Sequence, residues 1–216
     1  MEYQNLCALT ARRRALIALS QGLPDAARAA LLSSWRHACA AMYWAISTRD
    51  YESCQNLAVN MGLIQSTLAD AGDPDAIVYA FRFFRLGIYC SDEFRCGNDS
   101  TWEYICVGNL WLDHRERRVD FENHLTMGRH APDDKSSCAH ALARAKDIGE
   151  PRQIALCAIN LWRFGREIAD AARSARTQRT ARDALRAILQ GREELNRTLH
   201  SDGAHTMALI LNKAKA

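Results

Sequence analysis

The sequence predicts an all-α fold, a bundle of seven or eight mostly antiparallel helices with no sheet. Three observations carry this. Apolar residues recur at helical spacing along nearly the whole chain, and no stretch alternates convincingly as a strand would. The phrases "QGLPDA", "AGDPDA" and "IGEPRQ" each place a Gly two residues before a Pro. Gly closes a helix in the left-handed conformation and Pro opens the next without losing a needed N–H, so each phrase stops one helix and starts another. The fourth proline, in "GRHAPDDK", spreads the same signals over 128–135.

The elements follow in order. Residues 4–21 form one helix and 25–47 a second. "STRDYESC" turns the chain, with Thr48 or Asp50 as cap for a third helix over 51–71. A fourth covers 74–90; its "DAIVYAFRFFRLGIYC" is rich in β-formers, but Ile77, Tyr79, Ala80, Phe83, Phe84, Gly87 and Ile88 recur at helical spacing. "CSDEFRCGNDS" (90–100) is an extended loop. Ser100 and Glu103 have the spacing of a capping box for a helix over 101–127. Further helices span 134–148 and 151 to about 200, the latter broken near Gly191, with a short one after "SDGAH". The chain reads as a single domain, 1–216, with a subdivision into 1–90 and 100–216 around 91–99.

Composition narrows the class. Of 216 residues 48% are apolar and 25% charged, the profile of a globular chain able to bury a real core. The net charge of +3 does not by itself announce nucleic acid, but its makeup, 24 Arg against 4 Lys, is uneven. A need for bidentate anion contacts would give this bias, as would GC-rich coding. None of the 8 Cys forms a C-x-x-C pair, and Cys39 and Cys157 sit in apolar helical runs as small hydrophobes. The opening "MEYQNLCALTARRRALIAL" lacks the order of a signal peptide, and no apolar run approaches the ~18 residues of a membrane span. A reduced, cytoplasmic protein off the membrane is expected. Phosphate-loop, dinucleotide-binding and nucleophile-elbow motifs are missing, so those chemistries lose their support.

Five features bear on function. Of Arg173, Arg176, Arg179, Arg182 and Arg186, the last three lie largely opposite Ala181, Ala184, Leu185, Ile188 and Leu189 while Arg173 and Arg176 wind towards the flank, a broad outward face. An Arg-rich helix can follow phosphates, helped by Arg12, Arg13 and Arg14. Asp170, Asp183, Glu193 and Glu194 dilute it and no aromatic interleaves, so a solvated or internally paired face is the first reading.

Asn109, Asp113, Glu116 and Asp120, at i, i+4, i+7 and i+11, would share one face of the 101–127 helix and could dock a basic helix. Arg115, Arg117 and Arg118 beside them weaken a metal reading. Cys90, Cys96, Cys106 and His114 lack the paired short spacings of a zinc site. No metal and no cofactor are expected.

Arg118, then five residues, then His124 is similar to the R-x4–6-H motif of HEPN ribonucleases, which are small all-α bundles. The resemblance implies an RNA-cleaving site at these two residues. The hairpin "AMYWAISTRDYESCQNLA" resembles the turn within tetratricopeptide repeats, where "G-D-Y-E" opens the second helix. Here Arg49 replaces the Gly and no second copy follows at that period, so it is read as a helical hairpin.

Most aromatics, including Trp35, Tyr43, Trp44, Phe81, Phe83, Phe84, Trp102, Trp111, Trp162 and Phe164, fit a core. "YAFRFFRLGIY" is apolar nearly all round, which suits a central helix or one covered by a partner. The expected function is therefore non-catalytic protein binding: an adaptor, inhibitor or regulator of bacterial or mobile-element origin, self-associating or gripping a protein partner. Its expected interface residues are Phe81, Phe83, Phe84, Asp113, Glu116 and Asp120. The alternatives are nucleic-acid binding through the Arg row and ribonuclease action at Arg118 and His124.

Overall fold

A computed structural model describes residues 1–94, 100–122, 134–167 and residue 179. Among the described residues there are eight α-helices, one 3-10 turn and no strand. The helices are α1 (Glu2–Ser20), α2 (Pro24–Ser47), α3 (Tyr51–Asp70), α4 (Ala76–Phe94), α5 (Thr101–Asp113), α6 (Arg118–Glu122), α7 (Asp134–Ile148) and α8 (Pro151–Glu167). The 3-10 turn, Arg115–Arg117, lies between α5 and α6. The contacts divide the chain into two compact units, Met1–Ala131 and Pro132–Ala216. Within the first, α4 and α5 pack together across the 91–99 stretch.

The Gly–Pro phrases act as stop and start. Gly22, Gly72 and Gly149 all have positive φ, at 71°, 97° and 77°. After α1 the Leu23 N–H returns to the Ala18 carbonyl at 2.9 Å, and after α3 the Asp73 N–H returns to Leu68 at 3.2 Å. The α2–α3 turn closes in the same way, Asp50 N–H to Ala45 O at 2.9 Å, but the left-handed residue is Arg49, φ 57°. Asp50 is the cap of α3, its carboxylate accepting from the Ser53 N–H at 3.1 Å.

In the first unit α1 and α2 meet through small side chains. Ala8, Ala11, Ala15 and Ala18 face Ala27, Ser34, Ala38, Ala41 and Ala45, with Leu31 and Met42 filling between. The Ser34 hydroxyl donates to the Ala8 carbonyl at 2.7 Å, which such a close approach permits. Next, α3 packs on α1, α2 and α4, and so is buried on most sides. At Gly62 the Phe84 ring of α4 fills the place of a side chain: a Cβ there would meet it at 2.6 Å.

The apolar run of α4 is a central helix. It packs on α3, α5 and α6, and Phe81 and Phe84 are core residues while Phe83 is half-buried. Phe81 stacks on Phe121 of α6 at 4.4 Å and 7°, with Trp111 tilted against both. Burying each such ring contributes about 2–3 kcal/mol.

Two boundaries differ from expectation. Helix α4 runs on to Phe94, because Phe94 stacks on Tyr51 of α3 (3.9 Å, 4°) and meets Tyr89 edge-on (5.8 Å). The expected 101–127 helix stops at Asp113. There the Arg118 Nε–H, at 3.0 Å, takes the Trp111 carbonyl that a continuing helix would offer to residue 115. Turning the chain at His114 brings Phe121 back against Phe81.

In the second unit α7 and α8 form a hairpin with Ala141, Leu142 and Ala145 buried on α7. Glu150 opens α8, accepting from the Gln153 N–H at 2.7 Å and the Arg152 N–H at 3.3 Å. Residues Ala155–Trp162 are all buried, so α8 is covered right round there. No helix among the described residues is long and apolar enough to cross a membrane.

Candidate functional site

Among the described residues, the outer side of α2 carries a group of exposed large apolar side chains. Its Ala-rich face packs inward, and a second apolar set lies away from it. Leu32, Cys39, Tyr43 and Ile46, at i, i+7, i+11 and i+14, form a stripe along the helix. Leu32 is 56% exposed, Tyr43 69% and Ile46 62%, and Trp44, 57% exposed, meets Tyr43 edge-on at 6.4 Å. Large apolar groups gathered in this way on one helix are unusual unless something covers them. Arg28 and Arg36 are exposed on the same stripe, one turn either side of Leu32.

Helix α4 extends the face. Trp35 of α2 meets Phe83 of α4 edge to face, centroids 5.5 Å apart and rings at 70°. Cys39 and Leu86, one turn further along each helix, are half-buried against the same core. One turn before Phe83, Tyr79 is exposed, with the Arg82 guanidinium 5.2 Å from its ring centroid. The result is a shallow apolar seam flanked by exposed aromatics and arginines. Trp35, Tyr43 and Trp44 fit a core by sequence, but the core side of α2 is taken by alanines, so only Trp35 is even partly buried. The second stripe, offset from the Ala set, is the signal that identifies this face.

Of the residues expected at an interface, Phe83 lies on this face and the others do not. Phe81 and Phe84 are core residues, and Phe83 reaches the surface only along the seam with Trp35. Asp113, Glu116 and Asp120 do not share one helix face, since the helix ends at Asp113. Two of them make local pairs: Glu116 with His114 at 3.7 Å and Asp120 with Arg117 at 2.8 Å. Arg117 also reaches Asp75 at 2.9 Å, tying this turn to the start of α4.

Arg118 is held by the Trp111 carbonyl and lies 5.4 Å from the centre of the Trp111 ring. His124 lies outside the described residues, as do Arg173, Arg176, Arg182 and Arg186; Arg179 is helical and exposed. Arg13 and Arg14 are exposed, while Arg12 is half-buried and its Nε–H donates to the Thr67 hydroxyl at 3.3 Å.

The interior holds one polar group of note. Gln55 of α3 donates its amide N–H to the Glu103 carboxyl of α5 at 2.7 Å, both buried. Gly87 lets α5 come close here, since a Cβ on it would meet the Glu103 Cγ at 3.0 Å. The Ser100 hydroxyl makes no capping bond, and Glu103 turns to Gln55. Burial, and then Glu103, push the nearby Cys106 thiol well up, with Arg12 pulling the other way. Arg85, also buried, is held down by desolvation, which Tyr104 and Asp92 partly oppose. Among the described residues no group of His, Cys, Asp and Glu could hold a metal ion. No protein-family model matches this chain, and no curated protein matches it.

Proposed function

We propose that this chain acts by binding another protein, as an adaptor, inhibitor or regulator, and not by catalysis. One observation carries the reading: the exposed stripe of Leu32, Tyr43 and Ile46 on α2, continued by the Trp35–Phe83 seam. Aromatic groups beside arginines are the usual anchors of protein interfaces. Buried cysteines outside any disulfide at Cys54, Cys90, Cys106 and Cys157 serve as core fillers, which suits a reducing compartment such as the cytoplasm. The test is affinity capture with the wild type beside Tyr43→Ser/Ile46→Ser. Both side chains are exposed, so the fold is expected to survive. A partner retained by the wild type and lost by the variant supports the reading; identical captures from both count against it.

A second reading, nucleic-acid binding, draws on exposed Arg179, Arg13 and Arg14. It predicts binding that falls steeply with salt and is lost when Arg173, Arg176, Arg179, Arg182 and Arg186 become Glu. The ribonuclease alternative predicts RNA cleavage abolished by His124→Ala with the fold intact.

A further inference from the structure

From the charges around the α2–α4 seam we infer its occupant: an acidic amphipathic helix of a partner protein, apolar side chains in the seam and carboxylates on the flanking arginines. This rests on the protein-binding reading above and specifies the partner's chemistry.

The seam is lined by apolar side chains from two helices. Helices α2 and α4 run the same way, since each is antiparallel to α3 between them. Trp35, Cys39, Phe83 and Leu86 are packed against the core beneath, and Leu32, Tyr43 and Tyr79 on the same two helices are exposed. A helix presenting apolar groups at i, i+3, i+4 and i+7 suits such a surface.

The charge pattern selects the sign of the partner. Helix α2 has no carboxylate between Asp25 and Asp50, and α4 has none between Asp75 and Asp92. Over those lengths the exposed formal charges are Arg28, Arg36, Arg49 and Arg82, all positive, and exposed acids on α4 come only at its end, Asp92 and Glu93. His37 is turned away, bonded to Gln4 of α1 at 2.6 Å. Carboxylates flanking the apolar anchors of a docked helix would meet these guanidiniums, which both steers the encounter and fixes its register.

The other occupants fit less well. Residues 168–216 carry seven Arg and two Lys against five acids, a surplus of the same sign as these arginines. A second copy docked face to face would oppose like charges, Arg28, Arg36 and Arg82 of each.

The test uses the full chain and two labelled synthetic helices about as long as α2, one of Leu and Glu and one of Leu and Lys in the same pattern. Fluorescence anisotropy is read at low and physiological salt, with light scattering on the chain alone. The Leu/Glu helix is expected to bind and the Leu/Lys helix not to. Arg28→Glu/Arg36→Glu/Arg82→Glu, changing exposed side chains only, should weaken binding roughly tenfold or more, as three reversed surface pairs imply. Bound Leu/Glu helix should also shield Cys39 from iodoacetamide.

Equal binding of both helices, binding of neither, or undiminished binding by the triple variant overturns the inference. So does a dimer by light scattering that Ile46→Asp dissociates, since a second copy then covers the face. Failure here separates from failure of the broader reading. A captured partner that needs Tyr43 and Ile46 but not the three arginines leaves protein binding standing and removes only the acidic helix.

Discussion

Inside the first unit the Gln55 amide donates to the Glu103 carboxyl across 2.7 Å, joining α3 to α5 in the core. Neither group reaches water, so neither can exchange a lost partner for solvent. Gln55→Leu is expected to lower stability by about 2 kcal/mol, the cost of leaving a buried carboxyl short of a donor. The double variant Gln55→Leu/Glu103→Leu should cost less than the sum of the single changes. Urea midpoints of the four proteins measure this, and additive losses would show that the bond couples nothing.

Gly62→Ala drives a methyl to 2.6 Å from the Phe84 ring, closer than packing permits. Phe84 is buried and cannot swing into solvent, so a loss of about 1–3 kcal/mol is expected. Phe84→Leu in the same chain should recover part of it. Thermal unfolding of the single and double variants decides, and an unchanged Gly62→Ala would mean that α3 and α4 separate freely.

Arg49 holds a left-handed conformation, φ 57°, that costs most residues on the order of 1 kcal/mol and costs Gly little. Arg49→Gly should raise stability by up to that amount, offset by the greater freedom of Gly in the unfolded chain. A lower melting temperature would show that the Arg49 side chain contributes more than its backbone costs.

Asp50 makes stability depend on acid pH. Bonds from the Ser53 hydroxyl and N–H hold its carboxyl below the ordinary value of 3.8. A depressed folded value means the cap's contribution is fully present above that ordinary value and is lost as pH falls through the folded one. Asp50→Ala should cost about 1 kcal/mol at neutral pH. Asp50→Asn should keep part of the cap and remove its share of the acid dependence. Unfolding curves from pH 7 down to about pH 2 compare the three proteins.

Thiol labelling reads the same packing. Cys7 and Cys39 are half-buried, whereas Cys54, Cys90, Cys106 and Cys157 are buried. A short iodoacetamide pulse on the folded protein should mark the first two and spare the other four until denaturant is added. Burial raises the Cys39 thiol, so its rate should climb as pH rises above neutral. Peptide mass spectrometry locates the labels; early marking of Cys106 would contradict its burial against Glu103.

Helix existence was legible in the sequence because its signals are local. Gly22, Gly72 and Gly149 marked stops that the backbone then adopts. The break at His114 was not legible, because it depends on Arg118 reaching the Trp111 carbonyl and on Phe121 finding Phe81 from a distant helix. The extra turn of α4 likewise depends on Tyr51, forty-odd positions away in the chain. The candidate face was half legible: Tyr43 and Trp44 stood out, but bulky aromatics suit a core by composition alone. That alanines take the inward side of α2 follows only from how closely α1 lies against it.

The pairing of Phe81 with Phe121 bears on how the chain is assembled during synthesis. Helices α1 to α4 pack mainly on their sequence neighbours, so they can dock one by one as they leave the ribosome. The side of α4 that meets Trp111 and Phe121 cannot close until the chain has grown through α6. During that interval a nascent chain leaves this aromatic side of α4 without its cover, the kind of exposed surface on which incomplete chains stick to one another.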